Sequence, residues 1–305
     1  MTETTAMRVG VGLPTTLPGV DGPMVLGWAR RAEALGFSSL GVIDRLVYDS
    51  FEPLAALCAA GAVTHRVELL TTVLLGPLRA NAALLAKEAA SIDRLTSGRL
   101  TLGMAPGVRA DDFAAGGVDY QRRGALLDEL VTTMRRLWAD GSTVGPRPVR
   151  AGGPRLLFGG MSAATFRRVA QLDAGWVSGV VGIDAFAAGA ARACQAWSAA
   201  GRPGRPRLVA CATYAIGVAA ANAMESSVRD YYAFLPWLAS AALASAVRSP
   251  CEVRTLAERF AAAGCTDLVL FPGAADLSQL DALADALQMG AAERTMASSS
   301  VIRCR

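Results

Sequence analysis

The chain contains little charge and a single histidine. Charged residues make up 18% of its 305 residues, with 30 Lys and Arg against 26 Asp and Glu. The small positive excess is spread along the sequence, and no block of like charges marks a nucleic-acid or membrane surface. We therefore expect neither nucleic acid nor membrane among the partners of this protein.

Long apolar runs and paired cysteines are also missing. The longest apolar stretch, Phe234 to Val247, is interrupted by Pro236 and is too short to span a bilayer. Residues Met1 to Met7 lack the basic start and apolar run of a signal peptide. The six cysteines are scattered, with no pair at metal-ligand spacing. These absences predict a cytoplasmic protein with reduced thiols and no metal centre.

What the chain does have is a regular alternation of strand-like and helical patterns. Apolar residues amount to 52% of the sequence, enough for a large core. Eight runs predict strands: Arg8–Leu13, Ser39–Ile43, Val67–Leu75, Arg99–Met104, Arg155–Phe158, Gly175–Val180, Leu208–Val218 and Thr266–Phe271. Helical signals lie between them at Pro23–Leu35, after Asn81, at Gln121–Ala139, after Ser162, and at Asp184–Ala199, Asn222–Val247, Ser249–Gly264 and Leu277–Leu287.

Strands that alternate with helices indicate parallel βα units, and eight such units suggest a closed barrel. The competing arrangement is an open, doubly wound sheet, which the absence of Gly-x-Gly-x-x-Gly after the first strand disfavours. We predict an α/β fold, a (β/α)8 TIM barrel over residues 1–290 as a single domain. Residues 291–305 have no periodicity and are expected to form a flexible tail.

Three segments in order carry a family resemblance. They read LLAKEAASIDRLTSGRLTLG, DDFAAGGVDYQRRGALLDE and LLFGGMSAATFRRVAQLDAGWVSG. Together they resemble the bacterial luciferase-like family, with matching order and spacing from Met7 to Met289. The resemblance implies a (β/α)8 barrel that holds a flavin at the carboxyl ends of its strands. Some members use reduced FMN and oxygen as monooxygenases, whereas others use a 5-deazaflavin coenzyme for hydride transfer.

A glycine turn after the fifth expected strand is the first candidate for cofactor binding. Gly159 and Gly160 allow a ligand to approach the backbone, and Met161 and Ser162 lead into a helix whose amino end attracts anions. The resemblance implies that this turn holds the flavin phosphate. The alternative is an ordinary turn with a serine cap.

Two further positions belong to the expected cofactor site. The resemblance implies a bulge and a non-prolyl cis peptide behind the flavin ring at Thr72 and Val73; otherwise this is a plain buried strand. A luciferase carries a cysteine and then a phosphate-binding arginine where this chain has Ala105 and Pro106. That departure weakens the case for FMN bound as in luciferase.

Asp44 and Arg45, after the second expected strand, are the candidate catalytic residues. Many relatives carry Asp-His or Glu-His here, with the histidine in acid–base work. Arg45 cannot act as a base near neutral pH, but it could bind an anionic substrate or stabilise developing negative charge. The alternative for both residues is a salt bridge at the barrel rim. The single histidine, His65, precedes a strand and is expected at the stability face.

The substrate site is less well defined by the sequence. Arg79 is a candidate for binding a phosphate or a carboxylate, although surface solvation explains it equally well. Three residues in or after later strands could line a pocket or simply fill the core: Ser178, Tyr214 and Phe271. Other candidate proton carriers, which the sequence does not rank, are Tyr48, Asp111, Asp112, Tyr120 and Tyr214.

The leading hypothesis from the sequence is a two-component monooxygenase. Reduced FMN would come from a separate flavin reductase and react with oxygen to oxidise a small uncharged or aromatic substrate. The second hypothesis is a deazaflavin-dependent reductase or dehydrogenase, which needs no oxygen and which the missing arginine at Pro106 favours. A third is a flavin-binding protein without catalysis. The resemblance also implies a homodimer.

Overall fold

The strands of the computed structural model form one parallel sheet that closes on itself. The structure describes residues 6–139 and 143–289. Within these ranges the strands are β1 (Arg8–Gly12), β2 (Ser39–Val42), β3 (Glu68–Thr71), β4 (Leu74–Leu75), β5 (Leu100–Ala105), β6 (Arg155–Gly159), β7 (Gly175–Val177), β8 (Leu208–Tyr214) and β9 (Asp267–Pro272). β3 and β4 are two halves of one interrupted barrel strand, since both pair with β5. If β3 and β4 are counted as one strand, the sheet has eight strands. Because β9 pairs with β1, these eight strands make a closed barrel, as predicted.

Helices surround the barrel and connect successive strands. They are α1 (Gly22–Ala34), α2 (Pro53–Ala62), α3 (Ala82–Leu95), α4 (Ala110–Ala115), α5 (Arg123–Trp138), α6 (Ala163–Gln171), α7 (Gly182–Ala199), α8 (Val218–Tyr231), α9 (Pro236–Ser245), α10 (Pro250–Ala262) and α11 (Ser278–Ala286). Side-chain caps begin several of them where the sequence suggests, at Asn81, Ser162 and Ser249.

Alternate residues of each strand face two separate cores. The outer core, between sheet and helices, includes Trp28, Trp176 and Tyr214, all fully buried. The barrel interior is filled by a smaller apolar cluster that includes Leu70 and Val209. Because side chains alternate along a strand, each residue of β8 is committed to one core or the other.

The structure differs from the predicted elements in several places, among them the unpredicted helix α4 and the sixth strand, which ends at Val177 and not at Val180. Helix α2 was not predicted, because its sequence PLAALCAAGA is apolar nearly all round and shows no amphipathic stripe. The predicted strand Leu208–Val218 ends at Tyr214, and Val218 already begins a helix. Gly217, at φ 100°, makes the change of direction inside a run that is apolar throughout.

An ion network closes the amino-terminal end of the barrel. Arg207 binds Glu68 at 2.7 Å and Asp267 at 2.9 Å, and Arg8 joins the same carboxylates. His65 lies at this end too, where its backbone N–H donates to Glu33 at 2.9 Å. The expected placement of His65 away from the carboxyl-end face is therefore confirmed.

Within residues 6–139 and 143–289, no helix is both long and apolar enough to cross a bilayer. The same ranges contain no cluster of three potential metal ligands. The expected tail, residues 291–305, lies outside the described residues, and its flexibility stays a prediction, as does the single-domain boundary.

Candidate active site

Two adjoining cavities lie at the carboxyl ends of the strands. The larger one, called here the outer cavity, has a volume of about 290 Å³ and is bordered by β2, β4, β5, β6 and β7. The smaller one, the inner chamber, has about 90 Å³ and lies towards β1, β8 and β9. The residues common to both are Ile43, Thr72, Gly179, Tyr231 and Tyr232. This is the face on which barrel enzymes carry their active sites.

The interruption between β3 and β4 forms one wall of the outer cavity. The peptide bond between Thr72 and Val73 is cis, as the sequence resemblance implied. Val73 and Ala105 line the cavity together with Gly159. A Cβ atom on Gly159 would lie 3.0 Å from Val73 Cγ1 and 3.3 Å from Ala105 Cβ, so glycine lets the three residues pack closely. The wall that these three residues form is apolar and carries only small side chains.

The glycine turn after β6 borders the same cavity only in part. Gly159 and Gly160 line it, whereas Met161 and Ser162 are not among its lining residues. Ser162 instead caps α6 by accepting from the Thr165 N–H at 3.2 Å. The structure therefore agrees with only half of the prediction for this turn. Gly159 and Gly160 reach the cavity, whereas Met161 and Ser162 form the start of the helix beside it.

Two hydrogen bonds from other elements hold the carbonyl groups of the glycine turn. Trp176 Nε1 donates to the Gly160 carbonyl at 2.9 Å, and Arg192 Nη1 donates to the Met161 carbonyl at 2.7 Å. Arg192 also stacks 4.6 Å from the ring of Phe166. This arginine adds positive charge beside the turn, and nothing in the local sequence pointed to it, because it comes from α7.

Asp44 is a buried carboxyl group on the wall of the outer cavity. Its Oδ2 accepts from the Leu75 N–H at 2.8 Å and from Arg79 at 3.0 Å. Its Oδ1 makes no hydrogen bond to any described residue. Burial raises the pKa of Asp44 above the usual aspartate value, although the charge of Arg79 opposes this. Asp44 is thus placed and tuned to exchange a proton with a ligand.

Arg79 does not reach into either cavity. It bridges Asp44 and Glu52, the latter at 2.9 Å, and is absent from the lining of both cavities. The expectation that Arg79 contacts the substrate is corrected accordingly. Because it is held by two carboxylates, its role here is to support Asp44.

Arg45 has different partners from its neighbour. Its side chain is 4% exposed and binds Asp112 at 3.2 Å, so the alternative of a salt bridge is confirmed for Arg45, as it is for Asp44 with Arg79. Further bonds go to the carbonyls of Val47 at 2.8 Å and Tyr231 at 3.2 Å. With these bonds Arg45 ties together the loop after β2, α4 and the end of α8. It borders the outer cavity as a structural clamp.

Of the three remaining candidates for lining a substrate pocket, the structure places two at a cavity and one in the outer core. Ser178 lines the outer cavity and Phe271 the inner chamber. Tyr214 points into the outer core, and the cavity-side residue of that strand is its neighbour Thr213, so the substrate-binding expectation for Tyr214 is corrected. The physical reason is strand alternation, because a shift of one residue moves a side chain to the opposite face.

Among the other proton-carrier candidates, none is free within the outer cavity. Tyr48 donates to Asp230 at 2.7 Å, and burial helps to raise its pKa to about 12. Asp111 pairs with Arg109, and Tyr120 donates to the Val108 carbonyl at 3.3 Å. Asp112 does border the outer cavity, but it is fully buried and accepts from the N–H groups of Leu46 and Val47 as well as from Arg45. Asp44 is left as the candidate for acid–base chemistry.

A cover made of α8, α9 and the turn between them was not foreseen in the sequence. Tyr231 and Tyr232 line both cavities, and Phe234 lines the outer one. The guanidinium of Arg109 stacks 3.7 Å from the ring of Phe234. The aromatic cluster YYAF was a signal for such a role, but its partner loops lie more than 100 residues away in sequence.

These residues fit a flat ring cofactor. The outer cavity has close to the volume of typical ligand pockets, about 300 Å³ at their lower limit. Its wall of Val73, Ala105 and Gly159 is apolar, while Asp44 and Ser178 supply polar groups. At one end the turn at Gly160 brings backbone and the amino end of α6 close, a setting that favours a phosphate.

The fold and this site define a (β/α)8 barrel with a candidate active site at the carboxyl ends of its strands. Comparison with known sequences specifies the family. The chain belongs to the luciferase-like monooxygenase family, whose sequence model matches residues 7–264.

Individual relatives show how far the similarity extends. An uncharacterized protein of Mycobacterium tuberculosis is 32% identical over 174 residues, which cover 53% of this chain and 61% of that protein. An F420-dependent glucose-6-phosphate dehydrogenase of Intrasporangium calvum is 34% identical over 126 residues, 36% of each chain. The crystal structure of monooxygenase RslO1 from Streptomyces bottropensis superposes with a TM-score of 0.74 at 22% identity, covering 93% of this chain and 98% of that one. The last likeness establishes the fold.

Proposed function

We propose that this oxidoreductase is a deazaflavin-dependent reductase or dehydrogenase. The observation that carries the proposal is the buried Asp44 on the cavity wall, whose Oδ1 makes no hydrogen bond to any residue that the structure describes. Hydride transfer to or from a carbonyl or alcohol carbon requires a proton to move at the neighbouring oxygen, and a carboxyl group with a raised pKa can carry it. The relative named for its F420 dependence supports the same choice.

The side chains have separate tasks in this proposal. Val73, Ala105, Gly159 and Gly160 hold the ring, with Thr72 beside it, and the turn continuing through Met161 and Ser162 presents the amino end of α6 to the phosphate. When bound, the cofactor supplies or accepts a hydride. Asp44 takes the proton from a substrate hydroxyl or returns it to a carbonyl oxygen. Arg79 keeps Asp44 in place, and the tyrosines of the cover exclude water.

The second candidate is the FMN-dependent monooxygenase. The aromatic cover favours it, because Tyr231, Tyr232 and Phe234 place apolar surface over the outer cavity. It requires a separate flavin reductase as the source of reduced FMN. In this case Asp44 is not needed for hydride transfer, and oxygen becomes a co-substrate.

The test is a titration of the purified protein with reduced FMN and with reduced deazaflavin, both without oxygen. We expect tighter binding of the deazaflavin and oxygen-independent turnover of alcohols or carbonyl compounds. Preference for FMN with oxygen-dependent product formation would replace the proposal by the second candidate. Binding without turnover of any substrate would indicate a non-catalytic cofactor-binding protein, and binding of neither would exclude all three.

A further inference from the structure

The inner chamber is lined without a single charged side chain. Apolar residues such as Leu13, Val228 and Phe271 share its surface with hydroxyl groups and one thiol. The groups in it that can ionise stay neutral: burial raises the pKa of Cys211 to about 12, and burial also raises the pKa of Tyr231 and of Tyr232 far above the usual tyrosine value. The chamber is therefore uncharged over the whole physiological pH range.

Neutral polar groups in the chamber are available to a ligand. The hydroxyl groups of Thr16, Thr213 and Ser227 make no hydrogen bond to any other described residue, and all three line the chamber. Thr213 is 7% exposed, so its hydroxyl has little other access to water. A buried hydroxyl group gains stability when a ligand supplies the missing partner. A carbonyl or alcohol oxygen is such a partner.

The size of the chamber limits what enters it. Its volume is about 90 Å³. An engineered apolar cavity of about 150 Å³ holds benzene in another protein, so a six-membered aromatic ring exceeds this space. The chamber adjoins the outer cavity at Ile43, Thr72 and Gly179, which border both. A group seated in it therefore lies next to the place where the cofactor ring is proposed to bind.

We propose that the inner chamber binds a compact, uncharged, oxygen-bearing aliphatic part of the substrate, next to the group on which Asp44 acts from the outer cavity. The inference rests on the proposed function, because it assigns the substrate side of the same site. Anions are rejected because an unpaired charge in this lining would lose its hydration without gaining a partner.

The first experiment measures binding to the cofactor-free protein by ligand-observed NMR. The probes are 2-butanol, butanone and isobutyrate, which are close in size and differ in charge. We expect 2-butanol and butanone to bind at least tenfold more tightly than isobutyrate. Equal or tighter binding of isobutyrate would overturn the proposal.

Two matched variants locate the binding. Ser227→Phe places a ring in the inner chamber from α8, whereas Ser226→Phe makes the same change at the neighbouring exposed position. We expect Ser227→Phe to lose at least tenfold in affinity for butanone, with Ser226→Phe like the parent protein. Unchanged butanone binding in Ser227→Phe would place the ligand elsewhere and overturn the assignment.

A third variant covers the case in which Ser227→Phe fails to fold, as circular dichroism would show. Thr213→Val keeps the side-chain shape and removes the hydroxyl, and we expect weaker binding of both neutral probes; unchanged binding would contradict the assignment. Deazaflavin titrations of each folded variant separate the two proposals. Cofactor binding without selectivity for neutral probes refutes only the chamber assignment, whereas selective probe binding without cofactor binding refutes only the proposed function.

Discussion

Adjacent residues at the end of β2 have opposite roles, and their surroundings explain why. Asp44 turns to the cavity wall, where Arg79 and the Leu75 N–H hold one oxygen and leave the other free. Arg45 turns away to Asp112 and to backbone carbonyls. The chain has an arginine where many relatives have a histidine, so proton exchange at this edge depends on the carboxyl group alone.

The variant Asp44→Asn tests this dependence. For alcohol oxidation Asp44 must be deprotonated, so the rate should rise with pH through its raised pKa and level off above it. The amide cannot accept the proton, and we expect kcat/KM to fall by about 10² to 10⁴-fold, with the pH-dependent limb lost. Steady-state rates across pH 4 to about 8 would show this.

Glu52→Gln is the matched control, since Glu52 contacts the same Arg79 from the rim, where its side chain is 44% exposed. It should keep the rate within a few-fold of the parent protein and retain the pH-dependent limb, moved to lower pH because the charge of Glu52 contributes to the raised pKa of Asp44. An unchanged pH profile in Asp44→Asn would show that another group carries the proton.

At the scale of elements, a few polar contacts hold the cover formed by α8 and α9 over the cavities. Arg45 binds the last carbonyl of α8 at 3.2 Å, Tyr48 binds Asp230 at 2.7 Å, and Arg109 stacks on Phe234. The guanidinium of Arg45 also lies 5.1 Å from the ring of Tyr231. An apolar cluster packs α8 and α9 together, and among the polar contacts at the cavity end of the cover those of the buried Arg45 are the most numerous.

We expect Arg45→Met to destabilise the protein by about 3 kcal/mol, because it leaves the fully buried Asp112 without its closest cation. Denaturant unfolding measures this loss, and hydrogen exchange should speed up in α8 and α9 more than in α10. The same substitution at Arg122, whose pair with Glu129 is more than half exposed, should cost no more than about 1 kcal/mol. Equal losses for the two variants would contradict the assigned clamp.

For the molecule as a whole, the ion network at the amino-terminal end joins strands that are far apart in sequence. Arg207 precedes β8, Glu68 begins β3 and Asp267 begins β9. Burial alone would raise the pKa of Glu68 and of Asp267, but the hydrogen bonds and the charge of Arg207, with smaller contributions from threonine hydroxyls and Arg8, together outweigh it and hold both pKa values below their usual range. Both carboxylates thus stabilise the barrel only while they are ionised.

The sign of the pH effect follows from these lowered pKa values. Their contribution is fully present above the unfolded-state values, near pH 4, and is lost as the pH falls through the folded-state values. Arg207→Met should remove about 3 kcal/mol at neutral pH and flatten the loss of stability on acidification. Denaturant unfolding at several pH values would reveal it, and parallel curves for the variant and the parent protein would rule the mechanism out.

Local pattern was sufficient for most elements of this protein. Periodicity and helix caps predicted the eight barrel strands and the helices that begin at Asn81, Ser162 and Ser249. These signals could be found in the sequence because they depend on neighbours within a few residues. The resemblance pointed to the cis bond at Thr72–Val73, which the structure contains. The homodimer it also implied stays a prediction.

Only the tertiary structure decided which predicted residues meet. Whether Tyr214 or Thr213 faces the cavity depends on a register of one residue, and a long apolar run does not specify it. Asp44 and Arg45 have partners 35 and 67 residues away, and the cover comes from a segment nearly 190 residues beyond them. The sequence by itself determined the barrel and the face that carries the site, because both follow from local order. Folding decided the chemistry of that face, because it depends on which distant side chains share the same space.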